Sequence, residues 1–133
     1  MQEELEDVFG DGEQGCTMND AAQLKYMECC IKETLRLFPP APNFARQMSE
    51  DTQLGDYKIP AGTTVTLQLV AHHRNQEFFP DPHTFNPDRF HVDQSAGRHP
   101  YAFIPFSAGP RNCVGQCIFY HLHIPWIEYF FVL

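Results

Sequence analysis

A cysteine in a loop of glycine and proline is the residue best suited to chemistry in this sequence. Cys113 is surrounded by residues that give the backbone an unusual path, namely Gly109, Pro110 and Gly115. If a helix starts just after the cysteine, its amide groups and positive end point at the sulfur and favour the thiolate over the thiol. A thiolate is both a nucleophile and a metal ligand.

The neighbours of Cys113 favour one metal group in particular. Thiolate sulfur is an axial ligand of haem iron, and its electron donation favours cleavage of the O–O bond. Arg111 would offer a guanidinium to a haem propionate, and Gly109 and Gly115 would let the backbone pass close to a flat macrocycle. Taken alone, however, a cysteine in such a loop is more often an ordinary buried thiol. The elements around the loop therefore have to decide between the two interpretations.

An amphipathic helix is predicted in the first third of the chain. Thr17 and Asp20 have the spacing of a capping box that would begin the helix, and Pro39 lacks the amide donor needed to continue it. Apolar residues recur in between at helical spacing, at Leu24, Met27, Ile31 and Leu35. Glu33 and Arg36 share one face of this helix, where an exposed ion pair would contribute little to stability.

Two strands and a long irregular segment are predicted after the helix. A short strand, Tyr57–Ile59, lies between two glycine turns. Apolar residues then alternate with polar ones, as in a half-buried strand, at Val65, Leu67 and Leu69. Beyond Ala71 the sequence is irregular and rich in proline and phenylalanine. The prediction is an α+β arrangement in which helices, a small sheet and a meander lead into the Cys113 loop.

The composition excludes several classes of protein. The chain has 133 residues, 43% of them hydrophobic, which is enough apolar material for one modest domain. Its formal net charge of −8, without a cluster of lysine and arginine, argues against nucleic acid as a partner. The five cysteines are an odd number, which fits a reduced intracellular environment better than a secreted disulfide framework. The acidic start does not fit a signal peptide, and the apolar stretch 117–133 is too polar for a transmembrane helix.

Three motifs together resemble the signatures of the cytochrome P450 superfamily. The Cys113 loop has the pattern Phe-x-x-Gly-x-Arg-x-Cys-x-Gly of the family's haem-thiolate loop. Glu33 and Arg36 match its Glu-x-x-Arg motif, and residues 85–90 resemble its meander motif Phe-x-Pro-x-Arg-Phe. Because the three occur in the family's order with family-like spacing, the chain resembles the C-terminal part of a cytochrome P450. The longer similarity, from residue 1 to residue 101, resembles family 4, which includes fatty-acid ω-hydroxylases.

The resemblance implies a fold, a cofactor and a set of site residues. The fold would be the C-terminal part of the mainly helical P450 fold, an α+β piece with the Glu-x-x-Arg helix, a small β-sheet, the meander and the cysteine-ligand loop. Cys113 would be the axial ligand of the iron in haem b. The residues implied to bind the haem are Phe106, Gly109, Arg111, Gly115 and Arg46. Those implied to form a buried structural network are Glu33, Arg36 and Arg89, and no residue is implied to be catalytic.

The resemblance also implies an activity and a cellular setting. A haem-thiolate monooxygenase would insert one oxygen atom from O₂ into a lipid-like, fatty-acid-like or xenobiotic substrate, with electrons from NADPH–cytochrome P450 reductase. The full-length protein would lie at the cytosolic face of the endoplasmic reticulum membrane, held by an anchor that this chain lacks. Residues 1–116 would be a partial haem domain and 117–133 a divergent tail, with Phe119 where the family has a small residue near the haem. The chain is therefore expected to be a truncated piece, inactive alone.

Two other interpretations stay open at this point. The motifs could be inherited but idle, in a non-catalytic remnant or an interaction fragment. A small zinc module is the other alternative, because four cysteine and histidine ligands suit tetrahedral zinc. Its ligands would be Cys113, Cys117, His121 and His123, whose spacing leaves little room for the four to converge. The adjacent pairs Cys29–Cys30 and His72–His73 are expected to be ordinary neighbours and not ligands.

Overall fold

The computed structural model describes residues 2–10, 17–116 and 118–119, which contain both helices and antiparallel strands. The α-helices in these ranges are α1 (Gln2–Phe9), α2 (Met18–Ala21), α3 (Lys25–Leu37), α4 (Leu69–His72) and α5 (Val92–Ser95). The strands are β1 (Asn43–Gln47), β2 (Thr52–Leu54), β3 (Tyr57–Ile59) and β4 (Thr64–Gln68). Two short 3₁₀ helices are η1 (Pro87–Phe90) and η2 (Pro100–Ala102). None of the helices in these ranges is long and apolar enough to cross a membrane.

Helix α3 carries the apolar core of the described chain. The predicted apolar stripe is buried, with exposed fractions between 2% and 8%, at Leu24, Met27, Ile31 and Leu35. Leu5 of α1 completes the cluster, so α1 packs against the same face of α3. The helix ends at Leu37, before the two prolines, as the sequence predicted. Burial of one stripe fixes how α3 is rotated, and therefore which of its polar residues face the meander.

The predicted capping box forms, but it begins a different helix. The Thr17 amide donates to Asp20 Oδ2 (2.9 Å), and the Asp20 amide donates to Thr17 Oγ1 (3.4 Å). The hydrogen bond from the Thr17 hydroxyl, followed by that from its amide, lowers the pKa of Asp20. Only the four-residue helix α2 follows, because the backbone of Leu24 (φ −76°, ψ 68°) leaves the helical region and α3 starts afresh at Lys25. The prediction of one helix running on from Thr17 was wrong.

A carboxylate from α1 caps α3 in place of a local side chain. The N-cap residue Leu24 makes no side-chain hydrogen bond to the helix. Instead the two carboxylate oxygens of Glu4 accept from the amides of Tyr26 (2.6 Å) and Met27 (3.0 Å). Satisfied amides and a negative charge at the positive end of a helix both stabilise α3. The cap comes from 22 residues away, so no local pattern of residues indicates it.

The strands form two separate antiparallel ribbons instead of the single small sheet that was predicted. β1 pairs with β4, with Arg46 opposite Val65, and β2 pairs with β3. The predicted strand Tyr57–Ile59 is confirmed. Leu69 does not continue the second strand, because its amide donates to the Pro42 carbonyl (2.9 Å) and the chain turns into α4. Its assignment to a half-buried strand was wrong, since Leu69 is only 1% exposed.

The irregular segment after α4 folds back onto α3. Helix η1 packs against α3, and α5 contacts η1 in turn. The Asn86 side chain caps η1 by accepting from the Asp88 amide (3.1 Å), and Pro87 occupies the first helical position. This packing brings the predicted meander motif next to the Glu-x-x-Arg motif of α3.

Candidate functional site

The Cys113 loop is closed by backbone hydrogen bonds. The Cys113 amide donates to the Phe106 carbonyl (2.9 Å), and the Asn112 amide donates to the Gly109 carbonyl (3.2 Å). Two residues of the loop have positive φ angles, Ser107 (64°) and Gly109 (81°). A serine in the left-handed region is strained, and such strain persists where the surrounding structure fixes it. The loop is therefore a defined turn, and it holds Cys113 at the surface.

The sulfur of Cys113 is exposed beside backbone that lacks side chains. A Cβ atom at Gly115 would lie 3.7 Å from Cys113 Sγ, and one at Gly109 would meet nothing within 4 Å. A helical turn follows, in which the Phe119 amide donates to the Gly115 carbonyl (2.9 Å). A flat group approaching from outside would meet the sulfur and bare backbone.

Arg46 contacts this loop at the backbone of Arg111. Arg46 of β1 donates from Nη2 to the Arg111 carbonyl (3.3 Å) and from Nη1 to the Ala45 carbonyl (2.9 Å). The Arg46 guanidinium also lies over the Phe44 ring, 5.4 Å from its centroid. Guanidinium groups are the side chains best shaped for carboxylates. The strand thus brings a second positive charge to the loop that already carries Arg111.

Phe106 anchors the loop to the core. Its ring lies 5.1 Å from that of Phe119, between centroids, and both rings pack against the cluster on α3. The haem-binding role of Phe106 and the position of Phe119 near the haem both stay predictions. Both rings contact the core beneath the loop, so the position of the loop depends on α3.

The donor set around Cys113 fits a haem group. A soft thiol ligand is exposed, two glycines leave the backbone beside it uncovered, and two arginines suit the propionates. These are the residues Cys113, Gly109, Gly115, Arg46 and Arg111. Their assignment to haem is a proposal that the chemistry of the donors supports.

A buried ion network lies between α3 and the meander. Glu33 and Arg36 are 0% exposed, and Arg89 is 7% exposed. Arg36 donates from Nε to Glu33 Oε2 (2.7 Å) and from Nη2 to Glu33 Oε1 (2.8 Å), a bidentate pair. Arg89 Nε donates to Glu33 Oε1 (3.2 Å), and the Asn86 amide donates to the same oxygen (2.9 Å). The structure thus joins the three residues that the resemblance implied to form one network.

The remaining donors of the two arginines bind backbone carbonyls. Arg36 Nη1 donates to the carbonyls of His73 (3.0 Å) and Pro82 (2.7 Å). Arg89 donates from Nη1 to the Pro80 carbonyl (2.6 Å) and from Nη2 to the Asp81 carbonyl (3.1 Å). Each buried charge is thereby hydrogen-bonded in several directions, as its loss of water requires.

Sequence reasoning missed the part played by His73. This residue is 0% exposed, and its Nε2 accepts from the Ile104 amide (3.1 Å). Burial, followed by the charges of His72 and Arg36, lowers the pKa of His73 to about 4. The sequence offered only a histidine pair, and the pair divides: His72 Nε2 pairs with the Tyr101 carbonyl (2.7 Å) nearer the surface.

Arg98 is a second residue that the motifs did not indicate. It contacts Arg89 of the buried network. Its guanidinium lies 4.7 Å from the Phe79 ring centroid and 5.4 Å from that of Phe90. Arg98 Nη2 donates to the Arg89 carbonyl (2.7 Å). Burial and the neighbouring Arg89 lower the pKa of Arg98. In the sequence, an arginine near phenylalanines in an irregular segment indicates such stacking only weakly, because the rings and the guanidinium meet only in the folded chain.

The zinc alternative gains no support from the described residues. Among them, no three histidine, cysteine, aspartate or glutamate side chains are grouped so that they could hold a metal ion. The alternative also required Cys117, His121 and His123, which lie outside the described residues. Cys29 and Cys30 sit on α3 as free thiols, and burial raises the pKa of each.

Comparison with known proteins identifies the family. The sequence model of cytochrome P450 matches residues 1–118. The chain is 52% identical over 116 residues to cytochrome P450 4V2 of Mus musculus, covering 87% of this chain and 22% of that protein. It is 46% identical over 140 residues to the Homo sapiens cytochrome P450 4V2, covering 96% of this chain and 26% of that protein. Cytochrome P450 4c3 of Drosophila melanogaster is 52% identical over 115 residues, at 86% and 22% coverage.

The chain belongs to the cytochrome P450 family, a family of haem-dependent monooxygenases, and its relatives named here carry family 4 names. It spans about a quarter of the length of those relatives. Its helices and small antiparallel ribbons agree with an α+β piece of a P450 domain.

Proposed function

We propose that this chain forms the cysteine side of the haem site in a family 4-like P450 monooxygenase. It would be the C-terminal part of the mainly helical fold, with residues 1–116 in the haem domain and 117–133 as a divergent tail. The observation that carries the proposal is the exposed Cys113 in a loop closed by the Phe106 carbonyl, with Arg46 and Arg111 beside it. The match to the P450 family supports it.

Different residues of the chain would bind different parts of the haem. Cys113 would ligate the iron, Arg46 and Arg111 would bind the propionates, and Gly109 and Gly115 would let the ring approach the backbone. Phe106 would support the ring edge from within the loop. When bound, haem supplies the activation of O₂ and the insertion of one oxygen atom into the substrate.

The buried network would act as a scaffold and not in the chemistry. Glu33, Arg36 and Arg89 hold the meander on α3. None of the three is exposed enough to contact a substrate. Their proposed role is therefore to fix the cysteine side of the site.

The substrate, electron donor and membrane follow from family membership as proposals. The family generally takes lipophilic substrates and a reductase partner, so a fatty-acid-like or xenobiotic substrate and NADPH–cytochrome P450 reductase are proposed here. The proposed location of the full-length protein is the cytosolic face of the endoplasmic reticulum membrane. The net charge of −8 on these 133 residues makes nucleic acid an unsuitable partner.

A chimera tests the assignment of Cys113. Residues 1–116 would replace the matching segment of Mus musculus cytochrome P450 4V2, which gives a holoprotein of full length. We expect the reduced carbon-monoxide complex of the chimera to show the red-shifted Soret band of thiolate ligation. Cys113→Ser should abolish that band, and the control Cys30→Ser should retain it, because Cys30 lies on α3 away from the loop. Persistence of the band in Cys113→Ser would overturn the assignment.

A further inference from the structure

We infer that His73 is a positioning residue that holds the Cys113 loop onto α3 through the hydrogen bond that its imidazole accepts from Ile104. His73 follows α4 and lies between the buried network and the segment that leads into the loop. No motif of the sequence indicates it. The functional consequence for Cys113 rests on the proposed haem site, whereas the positioning itself does not.

Two hydrogen bonds connect His73 to α3 and to the segment before the Cys113 loop. Its carbonyl accepts from Arg36 Nη1 (3.0 Å), which ties its backbone to α3. Its Nε2 accepts from the Ile104 amide (3.1 Å), and the Ile104 carbonyl accepts from the Ser107 amide (3.0 Å). A continuous path therefore runs from the ion network through His73 to the first turn of the Cys113 loop.

The bond to Ile104 requires a neutral imidazole with its proton on Nδ1. A backbone amide is only a donor, so Nε2 must carry the lone pair. His73 Nδ1 is buried and has no hydrogen-bond partner among the described residues. The charged or titratable groups that face the ring, Arg36 and His72, both disfavour the imidazolium. The surroundings thus hold the ring in its accepting form.

If the same ring acted by packing, a different substitution of His73 would be tolerated. The ring centroid lies 5.3 Å from that of Phe103 and 5.8 Å from that of His72, so the imidazole also fills space. If packing were its contribution, phenylalanine would replace it well and a flexible polar chain would not. If the acceptor is its contribution, the order reverses. Glutamine can put its Oε1 where Nε2 stands, whereas phenylalanine leaves the Ile104 amide without an acceptor.

Amide hydrogen exchange on the full chain of 133 residues separates the two roles without haem or turnover. The measured quantity is the exchange rate of the Ile104 amide relative to that of the Leu35 amide, in the last turn of α3. Variants His73→Phe and His73→Gln are compared with the unmodified chain. His83→Phe, at an exposed histidine of the same segment, is the matched control.

We expect the Ile104 amide to exchange at least about fivefold faster in His73→Phe, with Leu35 unchanged. His73→Gln should restore the slow exchange, and His83→Phe should leave both rates as they are. Slow exchange of Ile104 in His73→Phe would overturn the proposal. Fast exchange in His73→Gln with slow exchange in His73→Phe, or equal loss of protection at Leu35 and Ile104, would assign His73 to packing and also overturn it. Failure of Cys113 as haem ligand would leave these rates untouched, so the two proposals can fail separately.

Discussion

Glu33 is a buried carboxylate whose two oxygens accept from two guanidinium groups and one amide. A carboxylate without water is stable only while these donors stay in place. Removing it would leave Arg36 and Arg89 as buried charges with no counter-ion. Removal of Glu33 should therefore lower the free energy of unfolding by more than the loss of an ion pair on a helix surface does.

Glu33→Ala should lower the free energy of unfolding by on the order of 3–5 kcal/mol. The matched control is Glu28→Ala on the same helix, whose carboxylate pairs with Lys32 (2.7 Å) while 42% exposed. That change should lower stability by no more than about 0.5 kcal/mol, because exposed pairs contribute little. Urea unfolding followed by circular dichroism measures both. Equal midpoints for the two variants would show that the network does not stabilise the fold.

His73 should make stability depend on pH in a defined window. Its folded pKa of about 4 lies below the ordinary value of 6.5, so the unfolded chain binds the proton more readily. The contribution is fully present above pH 6.5 and is lost as the pH falls through 4, by an amount on the order of 3 kcal/mol. The measurement is the unfolding free energy of the unmodified chain minus that of His73→Gln across this range. A difference that stays constant with pH would contradict the buried neutral imidazole.

At the scale of elements, the start of α3 depends on a helix that is distant in sequence. Glu4→Ala should remove both acceptors of the Tyr26 and Met27 amides and destabilise the chain by about 1–2 kcal/mol. These two amides should exchange faster, while amides in the middle of α3 change less. Glu3→Ala is the control, since Glu3 is an exposed neighbour on α1. Similar exchange at Tyr26 and Met27 in the two variants would rule out the cap.

The elements that could be predicted are those with local causes. The apolar stripe of α3, its end before Pro39 and the strand Tyr57–Ile59 between turns all follow from short-range patterns, and the structure has them. Leu69 continues the alternating pattern that predicted a strand. The chain nevertheless turns there, because the Leu69 amide donates to the distant Pro42 carbonyl. The break before α3 was likewise hidden, because its capping carboxylate comes from another helix.

The parts of the candidate site that could be predicted from the sequence are those that carry a motif. The Cys113 loop and the Glu33 network carry motifs whose spacing could be read directly from the sequence. The approach of Arg46 to Arg111 was expected from resemblance alone, since 65 residues separate them. His73 gave no signal, because its burial and its lowered pKa arise only when α3, α4 and the loop are packed together.

At the scale of the whole molecule, the described residues build only one side of the proposed haem site. Cys113 is exposed, and Val114 beside it is 96% exposed. Leu67 of β4 is 40% exposed, whereas Leu69 at the start of α4 is buried. Oxygen activation by a thiolate-ligated haem needs a site that excludes water. The described part of the chain does not enclose such a space around the sulfur.

The chain of 133 residues alone should therefore not hydroxylate a fatty acid, even with added haem and NADPH–cytochrome P450 reductase. The assay compares its product with that of free haem at the same concentration. Product equal to the free-haem level is expected, because water reaches the iron from the uncovered side. Turnover above that level which disappears in Cys113→Ser would prove the expectation wrong.

Arg36 and Arg89 donate to backbone carbonyls of the meander, which restricts the length of this segment more than its residue types. The acceptors belong to His73, Pro80, Asp81, Pro82 and Thr84. Any residue type provides a carbonyl, so a substitution leaves the acceptor in place. One inserted or deleted residue, however, moves the following carbonyls by about 3 Å, which is more than a hydrogen bond tolerates. Relatives should therefore keep the number of residues from 73 to 84 constant, while the exposed side chains of Pro80, Asp81 and Thr84 can vary.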